Sequence, residues 1–148
     1  MKKNIVISIN PQFVEKIING TKKYEYRTKA AKSDVHKLII YETTPIKKIV
    51  AEAVIEEVLD LSVNEMWKKT KKYSGISKDF YNEYFRGRKR AYAYKIGKIK
   101  VYNKPKELEE YGLTFAPQSF VYVYWFWKLY TIKLYRILEE TTHIVSKH

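Results

Sequence analysis

Residues 5–28 read Ile5-Val6-Ile7-Ser8-Ile9-Asn10-Pro11-Gln12-Phe13-Val14-Glu15-Lys16-Ile17-Ile18-Asn19-Gly20-Thr21-Lys22-Lys23-Tyr24-Glu25-Tyr26-Arg27-Thr28. The run Ile5–Ile9 is apolar except for Ser8 and predicts a strand. Asn10 is a helix-capping residue type, and Pro11 suits the first helical position. Phe13, Val14, Ile17 and Ile18 then recur at helical spacing, and Gly20 supplies the stop. Beyond it the alternation over Lys23–Thr28 predicts a second strand. Its period of two puts Tyr24 and Tyr26 on one face and Glu25 and Arg27 on the other. The opening is therefore strand, helix, strand, with opposite charges two residues apart.

Working outward, Ala30–Val35 reads as a loop and Lys37–Tyr41 as an apolar strand, ended by the turn Thr43-Thr44-Pro45. Ile46–Val58 is a long β-prone run. Ser62, with Glu65 three residues on, predicts a capping box opening a helix that carries Val63, Met66 and Trp67. Ser77 caps a second helix bearing Phe80, Tyr81, Tyr84 and Phe85, which Gly87 ends. Ala91–Tyr102 returns to strand with a bulge or bend at Gly97. Lys106–Tyr111 predicts a short helix ending at Gly112, and Phe120–Trp127 a last strand. The order β-α-β-β-β-α-α-β-β groups the helices instead of alternating them. It predicts an α+β fold built on a small mixed β-barrel, not a doubly wound sheet.

The length, 148 residues, is that of one domain with a sizeable core. We divide it into a domain over 1–124 and an aromatic, basic extension over 125–148 whose structure the pattern does not assign. There is no Cys, which excludes a disulfide scaffold, a Cys-ligated metal centre and a thiol nucleophile. The three His are dispersed, so no metal and no cofactor is expected. The first apolar run is too short for a signal-peptide core, and lysines interrupt the most apolar stretch, Val121–Leu138. A cytoplasmic protein without a membrane span is the expectation.

The 29 Lys and Arg against 16 Asp and Glu leave a formal charge of +13. Such an excess favours a polyanion, RNA or DNA alike, although lysines also simply solvate a surface. Only five of the basic residues are Arg, and three of them fall in Arg86-Gly87-Arg88-Lys89-Arg90. That cluster follows a helix end, where cations complement the helix dipole. It also has the composition of a loop contacting phosphates.

Three stretches resemble the ASCH family of the PUA-like superfamily. The first is Ile7-Ser8-Ile9-Asn10-Pro11 followed, after the helix, by Gly20-Thr21-Lys22-Lys23-Tyr24-Glu25-Tyr26-Arg27, similar to the family's Gly-x-Lys-x-x-Glu-x-Arg element. The second runs from Trp67 through Gly75-Ile76-Ser77 and Phe80 to Tyr84-Phe85-Arg86-Gly87-Arg88. It resembles a helical insert of the archaeal and bacterial branch of predicted transcriptional regulators. The third is Pro117-Gln118-Ser119-Phe120. Together they span about residues 4–124. The resemblance implies a β-barrel with a cleft between its mouth and the first helix. It also implies binding of RNA or of a modified nucleotide, as a reader or regulator.

Two other chemistries belong to relatives in that family: deacylation of N4-acetylcytidine and cleavage of RNA. Lys22 matches the motif lysine that does catalytic work in the amidohydrolase branch, where Glu25 stands in place of a Thr. Asp79 is the uncertain counterpart of that branch's third group. Lys22 either binds phosphate or works with Glu25 in acid–base chemistry. Glu25 either pairs structurally with Arg27 or accepts from a base. Arg27, Arg86, Arg88, Lys89 and Arg90, with Ser8, Asn10 and Ser119 at strand ends, complete the candidate nucleic-acid contacts. Tyr24, Tyr26, Tyr41, Tyr92, Tyr94 and Trp67 are expected to pack. A homodimer through Trp125-Phe126-Trp127 is the alternative to a monomer.

Overall fold

The computed structural model describes residues 3–31 and 34–124. Six strands form one mixed sheet in the order β2-β5-β4-β3-β1-β6. They are β1 (Lys3–Ile9), β2 (Tyr24–Arg27), β3 (Val35–Glu42), β4 (Lys48–Ser62), β5 (Arg90–Lys106) and β6 (Phe120–Val123). Three helices decorate it: α1 (Pro11–Ile18), α2 (Val63–Thr70) and α3 (Lys78–Tyr84). The α+β class and the positions of α1, α2 and α3 follow the sequence pattern.

Strands β1 and β3 pair in parallel, and the other ladders are antiparallel. A parallel pair needs a long crossover. Here the crossover carries α1 and then β2, which swings out to the far edge and pairs with β5. Helix α1 lays Val14 and Ile17 on the sheet beside Ile5, Ile7, Leu38 and Ile40. Gly20, at φ +84°, ends it in the left-handed region that favours glycine.

The barrel expected from the sequence is not closed: β2 and β6 are the two edges, and no ladder joins them among the described residues. Each is only four residues long, too short for a long ladder. Side chains span the gap instead. Arg27 on β2 donates from Nη2 to the Ser8 carbonyl on β1 (2.8 Å) and from Nη1 to Ser119 Oγ beside β6 (3.3 Å).

A second apolar cluster joins α2 and α3 to the end of β4 and the start of β5, around Tyr26, Met66, Tyr81 and Phe85. Rings of Tyr26, Trp67, Tyr81 and Phe85 meet edge-on or tilted at 4.8–6.2 Å. Tyr26, Tyr41 and Tyr94 are buried as expected, while Tyr24 and Tyr92 are half-buried. On the opposite face of the sheet, Val6, Ile39, Ile49 and Val123 form a third cluster, with Tyr102 and Tyr111 packed against it.

Local signals differ from expectation in three places. Asn10 does not cap α1 through its side chain, because its Oδ1 accepts from Thr43 Oγ1 (3.0 Å) and ties β1 to the β3–β4 turn. Ser62 accepts from the Glu65 amide but donates to the Glu65 carboxylate, so the capping box is half made. The helix expected over 106–111 is a 3-10 turn at Leu108–Tyr111, because β5 runs on to Lys106. The bulge at Gly97 is present: Ala53 pairs with Ile99 and Ile55 with Ile96, so one residue faces two. The Trp125–Trp127 part of the last expected strand and the dimer surface placed there lie outside the described residues.

Candidate functional site

Lys22 is fixed at both ends of its short segment. Its amide donates to the Lys16 carbonyl at the end of α1 (2.9 Å), and the next amide, of Lys23, donates to the Tyr73 carbonyl (2.9 Å). The side chain runs inward and is 3 % exposed. Its Nζ donates to the Ser74 carbonyl (2.7 Å) and stands 3.9 Å from Glu25 Oε2. It also lies 4.8 Å from the Tyr26 ring centre and 5.6 Å from that of Phe13. Burial lowers its pKa from 10.5 to about 8, against the opposing pull of Glu25.

The segment after α2 presses on this lysine. Gly75 has φ +67°, and a Cβ built there would sit 2.5 Å from Lys22 Cβ and 2.8 Å from its Cγ. Only glycine lets the backbone pass over the lysine stem. Lys16 Nζ donates to the Gly75 carbonyl (2.8 Å) and holds the same segment down from α1.

Glu25 is 7 % exposed. Its Oε1 accepts from Arg27 Nη2 (3.2 Å), while its buried Oε2 has no hydrogen-bond partner among the described residues. The pairing expected from their spacing is therefore made, yet half the carboxylate is left over. Buried carboxylate oxygens are ordinarily satisfied, and an orphan is costly. Here Glu25 lines the floor of an open cleft, with Oε2 facing the Lys22 ammonium at 3.9 Å. Arg27 Nε is the other orphan.

Behind this floor, Tyr26 and Thr70 form a buried hydroxyl pair at 2.7 Å. Thr70 gives its proton to the Met66 carbonyl (2.7 Å) and so accepts from Tyr26. Burial pushes the Tyr26 phenol up to about 12, so it stays protonated at neutral pH.

The cleft has a volume of about 270 Å³, with Lys22, Glu25, Tyr26 and Arg27 along its floor. Ser8, Ile9, Asn10 and Gln118 form one wall, and Phe13, Ile76, Phe80 and Tyr84 the other. Phe80 is 46 % exposed and Tyr84 38 %, so aromatic surface stands open at the mouth.

Among the sequence candidates, Lys22, Glu25, Arg27, Ser8 and Asn10 meet in this cleft. Ser119 joins through its contact with Arg27. The 86–90 cluster does not line it. Arg86 pairs with Glu83, Arg90 is held by Asp60 on β4, and Arg88 and Lys89 are exposed. Asp79 is exposed on α3 and lines no part of the cleft. Ser74, Gly75, Thr70 and the wall residues Phe13 and Gln118 are additions from the structure. The Gly75-Ile76-Ser77 run signals a turn before a helix, but nothing in it signals contact with Lys22. No group of His, Asp and Glu suited to a metal occurs among the described residues.

The chain is similar to several known proteins. Two proteins of Ureaplasma parvum match most of the chain: the ATP synthase subunit alpha, 32 % identical over 82 % of it, and the large ribosomal subunit protein uL22, 33 % identical over 80 %. The chain spans only 15 % and 39 % of their respective lengths. An ASCH domain-containing ribonuclease of Zymomonas mobilis is 31 % identical over 63 % of the chain and 64 % of its own length. The crystal structure of ASCH from Zymomonas mobilis superposes with a TM-score of 0.75 at 26 % identity, covering 89 % of this chain and 95 % of that one. The model of the ASCH domain matches residues 7–113, and the chain belongs to that family.

Proposed function

We propose that this domain binds single-stranded RNA in the cleft and cleaves its phosphodiester backbone. The observation that carries the reading is the floor itself. A buried ammonium and a buried carboxylate stand 3.9 Å apart, the carboxylate holding an unused oxygen, with a guanidinium beside it. RNA brings its own nucleophile, so these three groups suffice. Glu25 Oε2 accepts the proton of a 2′-hydroxyl. The 2′-oxygen attacks the adjacent phosphorus, and the bond to the 5′-oxygen breaks. The Lys22 ammonium gives its proton to the departing 5′-oxygen, and Arg27 stabilises the extra negative charge on the phosphate oxygens. The products are a 2′,3′-cyclic phosphate and a 5′-hydroxyl. Proton transfer from Glu25 to Lys22 restores the site.

The size of the cleft supports one nucleotide and not a duplex. The open rings of Phe80 and Tyr84 suit an unstacked base. The ribonuclease of Zymomonas mobilis supports RNA as the substrate. This reading places the protein in the cytoplasm, with its substrate. The amidohydrolase reading loses support because Glu25 puts a charge where that branch carries a hydroxyl.

A reader that binds without cleaving is the second reading. It is favoured by the tether role of Arg27, whose Nη atoms are already engaged with Glu25, Ser8 and Ser119.

End-labelled single-stranded RNA incubated with the purified chain, with the product ends identified, tests both. We expect cyclic-phosphate ends, a loss of about 10²–10⁴-fold in Lys22→Ala and Glu25→Gln, and no cut where a 2′-deoxynucleotide is placed. Tight binding with intact RNA means the reader. Cleavage that survives Lys22→Ala removes the mechanism.

A further inference from the structure

The sheet face opposite α1 carries two adjoining depressions that share Lys37, Glu52 and Lys100, with volumes of about 220 and 210 Å³. They share no residue with the cleft. Together they make a groove across β3, β4 and β5. Lys98, Lys100 and Tyr102 alternate along β5 on this face, where Lys100 pairs in register with Glu52. Tyr111 and the exposed Tyr124 stand at one end.

The groove is mostly basic: Lys37, Lys98, Lys100 and Lys106 line it against Glu52 and, at its end, Glu110, whose Oε2 accepts from the Glu107 amide (2.9 Å). Its central carboxylate, Glu52, is already neutralised: Lys37 Nζ lies 3.0 Å from Oε1, and the Tyr102 hydroxyl donates to Oε2 (2.8 Å). Lys98 and Lys100 make no ion pair with a described residue, although Lys95, on the same strand, pairs with Glu56. Lys106 stands over the Tyr102 ring at 4.4 Å. The result is a concave track of ammonium groups interleaved with tyrosines.

We infer that this groove is a second RNA contact, which holds the sugar–phosphate backbone of a single strand away from the cleft. The inference rests on the reading of RNA as the partner, though not on cleavage. Single strands are held where cations meet phosphates and aromatic rings meet bases, and this groove offers both. A membrane surface fits poorly, because the lysines lie in a depression across three strands and not on a protruding face.

The test uses the full chain and two charge-reversal variants of equal charge. Lys98→Glu with Lys100→Glu alters the groove, and Lys68→Glu with Lys69→Glu, on the exposed side of α2, is the control. Binding of a single-stranded RNA of about twenty nucleotides is titrated against salt for each, with folding checked by circular dichroism. The cleft is assayed separately with a dinucleotide.

We expect the groove variant to bind the long RNA at least tenfold more weakly, the control less than threefold. The slope of log affinity against log salt falls by about 1.4 for two lost phosphate contacts on a single strand. Handling of the dinucleotide stays as in the wild type. Equal losses in both variants mean that only net charge matters and overturn the inference, as does an unchanged groove variant. Binding of the matching DNA as tightly as RNA overturns the choice of RNA. Wild-type cleavage of the dinucleotide with a silent groove sinks the groove alone. Selective loss of long-RNA binding in a chain that cuts nothing sinks only the cleavage reading.

Discussion

Lys22 is held as an ammonium that is ready to lose its proton. Burial favours the neutral amine, so its folded value of about 8 lies below the ordinary 10.5. Two consequences follow at the residue scale. As the proton donor in cleavage, Lys22 must be charged, so the cleavage rate should fall as pH rises through about 8; a rate still climbing at pH 9 removes that role. Stability moves the other way. Between pH 8 and about 10 the unfolded chain keeps a proton that the native site has released, so wild-type stability rises relative to Lys22→Met. The gain approaches roughly 2–3 kcal/mol at about 1.36 kcal/mol per pH unit, and urea unfolding of both proteins across that range measures it. Gly75 gives a second prediction. Gly75→Ala should cost about 1–3 kcal/mol from the positive φ and the clash with Lys22. In a Lys22→Gly background the cost should shrink, because the Cβ, Cγ and Cδ contacts are gone, and a double-mutant cycle reads the difference. Both residues of the cycle lie in plain view in the sequence, 53 positions apart. Their contact is not legible there, because a turn glycine carries no mark of what passes beneath it.

At the scale of elements, β2 is one of the two four-residue edge strands and carries Glu25, Tyr26 and Arg27 of the site. It has four residues and pairs only with β5 among the described strands. Arg27 compensates by tying it to β1 and to the segment before β6. Arg27→Ala leaves Glu25 buried near Lys22 alone, and losing one partner of a buried pair typically costs about 3–5 kcal/mol. We expect faster amide exchange in β2 and β6, with β4 and β5 little changed; uniform acceleration across the sheet would mean that Arg27 is no local tether. The alternation Tyr24-Glu25-Tyr26-Arg27 already separated the two faces of this strand. The edge it joins was not legible, because the choice of partner strand depends on where the crossover through α1 delivers the chain. The 86–90 cluster shows the same limit. Its composition suits phosphates, but Glu83, three residues before Arg86, and Asp60 on β4 engage Arg86 and Arg90, and the second of these partners, on another element, cannot be read from a local window.

For the whole molecule, one sheet curls so that β2 meets β1 without a ladder, and the cleft opens where this seam meets α1 and α3. The two faces of β3, β4 and β5 then carry different properties, a core with α1 on one side and a basic groove on the other. With a net charge of +13, binding of single-stranded RNA should weaken steeply and log-linearly with salt. A flat dependence would assign the lysines to solvation. No described helix is long and apolar enough to cross a membrane.

The sequence by itself determined the α+β class, the strand–helix–strand opening, the caps at Ser62 and Ser77, and the membership of Lys22, Glu25 and Arg27 in one site. These are local properties, written in periodicity, capping chemistry and a short motif. Only the tertiary structure decided that the sheet stays open and that Glu25 keeps an unused oxygen. It alone showed that Gly75 and Ser74 bury and hold Lys22, and that the lysines of β5 face a groove away from the cleft. Each of these depends on which distant segments come within a few ångströms, and burial and electrostatic coupling arise only at that range.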